Sequence, residues 1–244
     1  MVRARPRRRR YCLEDSKKSG FWEFGCFKEC RELQYIYLHG FASGPESFKA
    51  QYLRDRVSEL FLNLDIPNLN NGDFSHLTLT RQLHQVEALL SLLKPVGKVT
   101  IIGSSFGGLT AAWLAQRQEC ISRIVLLAPA FQFVSHWLPL LGPQQVTKWQ
   151  TDGYLSVYHH IEKCDLPLHY QFVTDMINYP EEQLIRPIPT LILHGKDDEV
   201  IPIQASRDFA RDRPWVTLQE LDSDHGLGNV LPDIWLAIRE FCSL

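Results

Sequence analysis

The chain has 244 residues, of which 45 % are hydrophobic, 11 % aromatic and 22 % charged, and its formal net charge is −2. These values exclude a chain that is disordered throughout and suit a single globular α/β core. No apolar run approaches the ~20 residues needed to cross a bilayer, and no apolar segment of signal-peptide type follows the N-terminal arginines.

Taken in chain order, the predicted elements alternate. Gln34–Leu38 (QYIYL) reads as a strand, and Ser47–Phe61 as an amphipathic helix with Phe48, Tyr52, Val57 and Leu60 near one face. Leu62–Ile66 is a second strand before Pro67. Thr78–Leu93 is a helix, with Leu79, Leu83, Val86, Leu89, Leu90 and Leu93 at helical spacing and Pro95 beyond its end. Lys98–Ile102 (KVTII) is a short buried strand, and Leu109–Gln118 a helix rich in Ala and Leu. Arg123–Leu127 is a further strand. From Ala130 to Arg186 the alternation breaks down. It resumes with strands near Thr190–Leu193 and Trp215–Leu218, and helices Gln204–Arg211 and Leu231–Phe241. Strands alternating with helices predict a mostly parallel sheet covered on both faces.

Between the KVTII strand and the Leu109 helix stands Gly103-Ser104-Ser105-Phe106-Gly107. Gly-x-Ser-x-Gly at a strand-to-helix junction is a nucleophile elbow, a strained turn that lifts one hydroxyl above the sheet edge, and its register selects Ser105 rather than Ser104. Downstream, one strand runs into His194-Gly195-Lys196-Asp197-Asp198-Glu199-Val200-Ile201-Pro202, and another into Asp222-Ser223-Asp224-His225-Gly226. Serine, acid, histidine is the chain order of α/β-hydrolases, and here the sequence resembles that superfamily. The block Tyr35-Ile36-Tyr37-Leu38-His39-Gly40-Phe41-Ala42-Ser43-Gly44-Pro45 is similar to the opening of the small bacterial YqiA-like esterases, and the resemblance extends from Leu33 to Leu244.

The resemblance implies an α/β-hydrolase fold over residues 33–244, with a small helical cap at about 130–186 roofing the pocket. It implies a triad of Ser105 as nucleophile, His225 as base and Asp198 as the acid that orients the base. Asp198 is preferred over Asp197 because His-Gly-x-x-Asp followed by x-Val-Ile-Pro is the family arrangement. Asp222 and Asp224 lie too close in sequence to His225. A serine hydroxyl needs a base to become nucleophilic, and imidazole titrates near ~6.5, close to working pH. The oxyanion donors are expected to be the backbone N–H groups of Phe41 and Phe106.

The cap segment holds Phe131, Phe133, Trp137, Trp149, Tyr154, Tyr158, Tyr170 and Phe172. Such aromatics either line an acyl or aryl pocket, with Phe131, Trp137 and Trp149 as candidates, or form the cap's own core. The expected activity is hydrolysis of a small-molecule carboxylic ester through an acyl-enzyme. The alternatives are thioester cleavage by the same triad, or a catalytically silent fold that binds a ligand or partner.

No cofactor or metal is expected. Cys26-x-x-x-Cys30 lacks a second ligand pair, and His39 and His194, each before a glycine, read as loop-ordering residues. Six cysteines in this length suit reduced thiols and a cytoplasmic location. Residues 1–31 carry ten Lys/Arg against four Asp/Glu, about +6. Arg3, Arg5 and Arg7–Arg10 suit nucleic acid, an anionic surface or a transit peptide, but Glu14, Asp15, Glu23 and Glu29 oppose the last. YqiA-like proteins begin near the first strand, and no Met lies between Met1 and Met176. Residues 1–32 therefore read as a basic extension, disordered or a mis-assigned start, with no nucleic-acid partner expected.

Overall fold

Short runs of Ile, Val and Leu that end in turns become strands, because branched side chains pack well on a pleated surface. The computed structural model describes residues 34–93 and 97–244, so the basic extension and Cys26/Cys30 lie outside the described residues. The first part of the chain forms β1 (Gln34–Leu38), α1 (Phe48–Ser58), β2 (Leu64–Asp65), α2 (Leu79–Leu93), β3 (Val99–Ser104), α3 (Phe106–Arg117) and β4 (Ile121–Leu127). An insertion follows, made of α4 (Phe133–Leu141), α5 (Pro143–Asp152), β5 (Tyr154–His159), β6 (Cys164–His169) and α6 (Gln171–Met176). The chain closes with β7 (Thr190–Gly195), α7 (Ile203–Arg211), β8 (Val216–Leu221) and α8 (Leu231–Cys242).

Six strands form one sheet in the order β2-β1-β3-β4-β7-β8, every neighbouring pair parallel. Side chains alternate between its faces. Ile36, Leu38, Ile101, Ile124, Leu126 and Ile192 pack with α2, α3 and α7, while Tyr35, Tyr37, Ile102, Val125, Leu127, Leu191 and Leu193 pack with α1 and α8. With both faces covered, the inner strands read as continuous apolar runs. The pairs Leu38↔Gly103, Ser104↔Leu127 and Leu127↔Leu193 align the strands' carboxyl ends along one edge. The order also reverses between β1 and β3. The loops leaving those strands diverge there and open a crevice, the usual ligand position in such sheets.

Two expectations need correction. On α1 the residues turned inward are Lys49, Ala50, Leu53 and Val57, whereas Phe48 is 54 % exposed. The helix is only weakly amphipathic, so the buried face was set by where α8 sits rather than by the largest apolar side chains. The insertion, in turn, is not wholly helical. It includes an antiparallel β5–β6 hairpin, in which Tyr154 pairs with His169 and His159 with Cys164. The indole N–H of Trp149 donates to the Leu168 carbonyl at 2.8 Å and fastens α5 to that hairpin. The carboxylate of Asp175 accepts the Thr80 N–H at 2.9 Å, so a residue of the insertion caps the first turn of α2.

A second seam carries a pH dependence. Glu181 accepts the Gln132 N–H at 2.6 Å, and burial pushes its carboxyl up to about 7. The folded protein therefore holds this proton more tightly than the unfolded chain, whose carboxyl titrates near ~4.3. The resulting stability is fully present below that value and is lost as pH rises through about 7. Glu181→Gln, which mimics the protonated form, is expected to match the parent's Tm at pH 4 and to exceed it at pH 8. A difference that stays constant across that range would contradict the assignment.

Candidate active site

At the carboxyl end of β3 the chain turns directly into α3 through Ser105, whose φ and ψ are 52° and −118°. This sparsely populated conformation for a residue with a side chain is held by backbone hydrogen bonds. Ser105 N–H donates to Leu127 O at 2.8 Å, and Ser105 O accepts from Gly108 N at 2.8 Å and Ala130 N at 3.0 Å. The flanking glycines follow from crowding. A Cβ on Gly103 would stand 2.3 Å from Gly107 O, and one on Gly107 would stand 2.2 Å from Leu38 O. No side chain fits at either place. Ser104, the last residue of β3, is 3 % exposed.

Three chain-distant residues meet here. Ser105 Oγ lies 3.0 Å from His225 Nε2, and His225 Nδ1 lies 2.8 Å from Asp198 Oδ2. The other oxygen, Asp198 Oδ1, accepts the N–H groups of Val200 at 2.9 Å and Ile201 at 2.8 Å. Burial alone would raise this carboxyl. Hydrogen bonds from His194, His225 and Ile201 overcome it and hold Asp198 well below the usual carboxylate range. Since Asp198 is ionised and accepting, His225 carries its proton on Nδ1 and leaves Nε2 free to accept from the Ser105 hydroxyl. Asp197 is exposed, and only its N–H is engaged, donating to Ser223 O at 3.0 Å. Asp222 pairs with Lys196 at 2.7 Å, and Asp224 accepts the Leu227 N–H at 3.1 Å.

His194 does more than order a loop. It is fully buried, and its Nε2 lies 3.0 Å from Asp198 Oδ2 and 3.0 Å from Ile201 O. Its Nδ1 lies 2.8 Å from Ser206 Oγ. Two acceptors at Nε2 place the proton there, so Nδ1 accepts from Ser206. The i,i+4 spacing of His194 and Asp198 carried this contact in the sequence, but nothing local marked it as anything other than two loop residues.

The loop after β1 reaches Ser105 because it leaves the sheet at the point where strand order reverses. A Cβ on Gly40 would fall 3.2 Å from Ser105 Cβ, which sets Phe41 beside the serine. Phe106 N–H opens α3, where the first amides have no intrahelical acceptor. The loop is held from several sides. Leu69 N–H donates to His39 Nε2 at 2.9 Å, and His39 Nδ1 lies 3.0 Å from Gly40 O. Burial lowers this imidazole to about 4, so it is neutral at pH 7. Asn70 Nδ2 donates to Ser43 O at 2.8 Å and lies 3.1 Å from His159 Nε2, while His160 N–H donates to Ala42 O at 2.9 Å. The turn of the inserted hairpin thus rests on the loop that presents Phe41.

The aromatic candidates separate. The Phe41 ring is half-buried and packs on Phe74, Phe106, Phe133, Trp137 and Phe172, with centroids 5.2–6.4 Å apart. Trp137 is also half-buried and stacks on Phe133 at 5.2 Å. Phe131 is wholly enclosed and stacks on Phe209 at 4.0 Å, and Trp149 is 1 % exposed between Trp137 and Tyr170. These two pack the interior, and of the three only Trp137 has ring surface free beside Phe41. A cavity of about 450 Å³ is formed by Phe133, Met176, Glu181, Phe209 and Arg213, but none of Ser105, Asp198 and His225 lines it. Among the described residues no cluster of His, Cys, Asp and Glu suits a metal ion, and no helix is long and apolar enough to cross a membrane.

Comparison with known proteins agrees with this architecture. A Mycoplasma pneumoniae protein named as an esterase/lipase is 26 % identical over 223 residues, covering 81 % of this chain and 83 % of that protein. A crystal structure of a protein named as a hydrolase from Agrobacterium vitis superposes with a TM-score of 0.73 at 25 % identity, covering 86 % of this chain and 88 % of that one. Mouse alpha/beta hydrolase domain-containing protein 10 superposes with a TM-score of 0.71 at 19 % identity, over 86 % and 89 %. The uncharacterised protein family UPF0227 matches residues 34–242. The chain belongs to that family, and with it to the α/β-hydrolase superfamily.

Proposed function

We infer that the protein hydrolyses carboxylic esters through an acyl-enzyme on Ser105. The observation that carries this reading is the unbroken hydrogen-bonded chain from Ser105 Oγ to His225 Nε2 at 3.0 Å and from His225 Nδ1 to Asp198 Oδ2 at 2.8 Å. As Ser105 Oγ attacks the ester carbonyl, its proton passes to His225 Nε2. Asp198 holds the imidazole tautomer and stabilises the imidazolium. The carbonyl oxygen gains negative charge, which in this reading the N–H groups of Phe41 and Phe106 receive. Each such donor contributes about 10²–10³ in rate. When the C–O bond of the tetrahedral adduct breaks, His225 returns the proton to the leaving alcohol. Water then attacks the acyl-serine by the same route and releases the acid.

The half-buried rings of Phe41 and Trp137, 5.5 Å apart, offer apolar surface next to the Phe41 loop, which favours an apolar acyl or aryl group. The esterase/lipase name of the Mycoplasma relative supports the same class. The test is labelling with a fluorophosphonate, read by peptide mass spectrometry, beside a chain-length series of p-nitrophenyl esters. The expected result is one stable adduct, on Ser105, with turnover of at least one ester. A folded protein that takes no label and turns over no ester would instead be a silent member of the fold.

A further inference from the structure

The imidazole of His225 is aligned by Asp198 through its Nδ1, but the backbone that carries it belongs to an irregular loop between β8 and α8. From α1, on the far side of the chain, Lys49 reaches into this loop. Its Nζ donates to the carbonyl of Gly226, the residue directly after His225, at 3.0 Å and across 177 positions of sequence. Lys49 is only 9 % exposed and occupies the inward face of α1 beside Ala50 and Leu53. An aliphatic side chain would satisfy packing there, and burying an ammonium opposes folding unless it is paired. The pairing is on the site itself. Burial pushes the lysine down to about 8, and the charges of Asp198 and Asp224 act against that fall.

Both ends of the contact belong to the site. The loop carrying Gly40 and Phe41 runs directly into α1, so Lys49 stands ten residues or fewer from the expected oxyanion donor. Its partner Gly226 is covalently next to His225. A single side chain therefore ties α1, the helix that follows the Phe41 loop, to the loop that presents the imidazole, with Phe48 packed alongside, 3.7 Å from where a Cβ on Gly228 would be. Other restraints on the His225 loop come from within it and from the loop after β7: Ser223 Oγ donates to Asn229 Oδ1 at 2.5 Å, Asn229 Nδ2 to Asp222 O at 2.9 Å, and Leu227 N to Asp224 Oδ1 at 3.1 Å, while Asp197 N–H donates to Ser223 O at 3.0 Å and Lys196 Nζ to Asp222 Oδ1 at 2.7 Å. The bonds from outside hold residues before His225. Lys49 holds the residue directly after it, from α1.

We propose that Lys49 is a positioning residue for His225, its ammonium clamping the Gly226 carbonyl so that the imidazole stands within hydrogen-bonding reach of Ser105. This rests on reading Ser105 and His225 as the proton-transfer pair. Misplacing a catalytic group by about 1 Å costs on the order of 10² in rate. Lys49→Met, which keeps the length and apolar packing but removes the donor, is therefore expected to lower kcat by about 10- to 100-fold. KM should change by less than about threefold, and fluorophosphonate labelling of Ser105 should slow by the same factor as kcat. Lys49→Ala, which leaves room for a small amine, should regain kcat in propylammonium but not in butanol.

A purely structural lysine would give a different result. Lys49→Met would then lower Tm while the remaining folded protein kept its kcat and labelling rate, and propylammonium would restore nothing; this would overturn the proposal. If Lys49→Met fails to fold, the Lys49→Ala rescue decides. A third readout does not depend on activity. The Nδ1–H proton resonance of His225, shifted downfield by Asp198, should move or broaden in Lys49→Met, and an unchanged resonance would count against the clamp. The parent protein separates the two ideas: absence of label on its Ser105 defeats the hydrolase reading, whereas the histidine resonance still judges Lys49.

Discussion

Ser105→Ala is expected to reduce ester turnover by on the order of 10⁴- to 10⁶-fold with little change in KM, leaving a folded protein with an unchanged sheet. The size of the effect follows from what the hydroxyl does. It alone is to form the covalent bond to the acyl carbon, and it alone lies 3.0 Å from His225 Nε2. Truncating it removes one oxygen atom from a partly exposed position, so the stability effect should stay within about 1 kcal/mol. Backbone strain at Ser105, φ 52°, is held by the Leu127, Gly108 and Ala130 hydrogen bonds, none of which uses the side chain. Ser104→Ala is the control. Ser104 is buried at the end of β3 and is expected to retain activity within about tenfold. Comparable losses in the two variants, measured as kcat on one p-nitrophenyl ester, would mean that the elbow register is wrong.

The second large effect is expected at Asp198. Asp198→Asn should lower kcat by about 10⁴, because a carboxamide cannot play the carboxylate's part here. Four donors converge on the carboxylate: His194 Nε2 and His225 Nδ1 at Oδ2, and the Val200 and Ile201 amides at Oδ1. An asparagine has one accepting atom, so whichever way it turns, an N–H group faces donors. If the amide turns toward His225, the imidazole shifts its proton to Nε2 and can no longer accept from Ser105. Asp197→Asn alters an exposed side chain and should leave kcat within about twofold. The reverse ranking would move the acid to Asp197.

Stability adds a pH signature at the same residue. The folded-state titration of Asp198 lies below that of the unfolded chain, so its contribution is present above about pH 4 and is lost as pH falls further. Asp198→Asn should therefore weaken the parent's acid sensitivity as well as its activity.

The parts of this site that were legible in the sequence are those whose constraint is local. Gly103 and Gly107 had to lack side chains because strand, serine and helix follow one another without a spacer, so the pattern is a steric requirement of a few residues. The inner strands of the main sheet were legible for a similar reason, since burial on both faces makes them continuous apolar runs. The inserted hairpin was not. Tyr154–His159 alternates between exposed and buried positions, and Cys164–His169 contains Pro167, so neither shows the apolar run of a core strand. Trp149 and Trp137 are the same residue type in the same segment, yet one is enclosed and the other half-buried. Composition carries no information on that difference.

Lys49 shows the limit most clearly. In sequence it is a charged residue beside Phe48 on a weakly patterned helix, and such a lysine ordinarily faces solvent. Its inward direction depends on α8 and on the loop after β8, both some 180 residues away; the contact itself spans 177 positions. The sequence by itself determined the strand–elbow–helix turn and the parallel α/β class, because each depends on steric and hydrogen-bonding rules acting over a few residues; the choice of Asp198 over Asp197 came from the family resemblance. Tertiary structure alone decided that His225 meets Ser105 across 120 positions, that His194 shares the carboxylate, that the hairpin braces the Phe41 loop, and which rings remain open. Those outcomes depend on strand order and on the aligned carboxyl ends of the sheet, quantities that exist only once distant segments have packed.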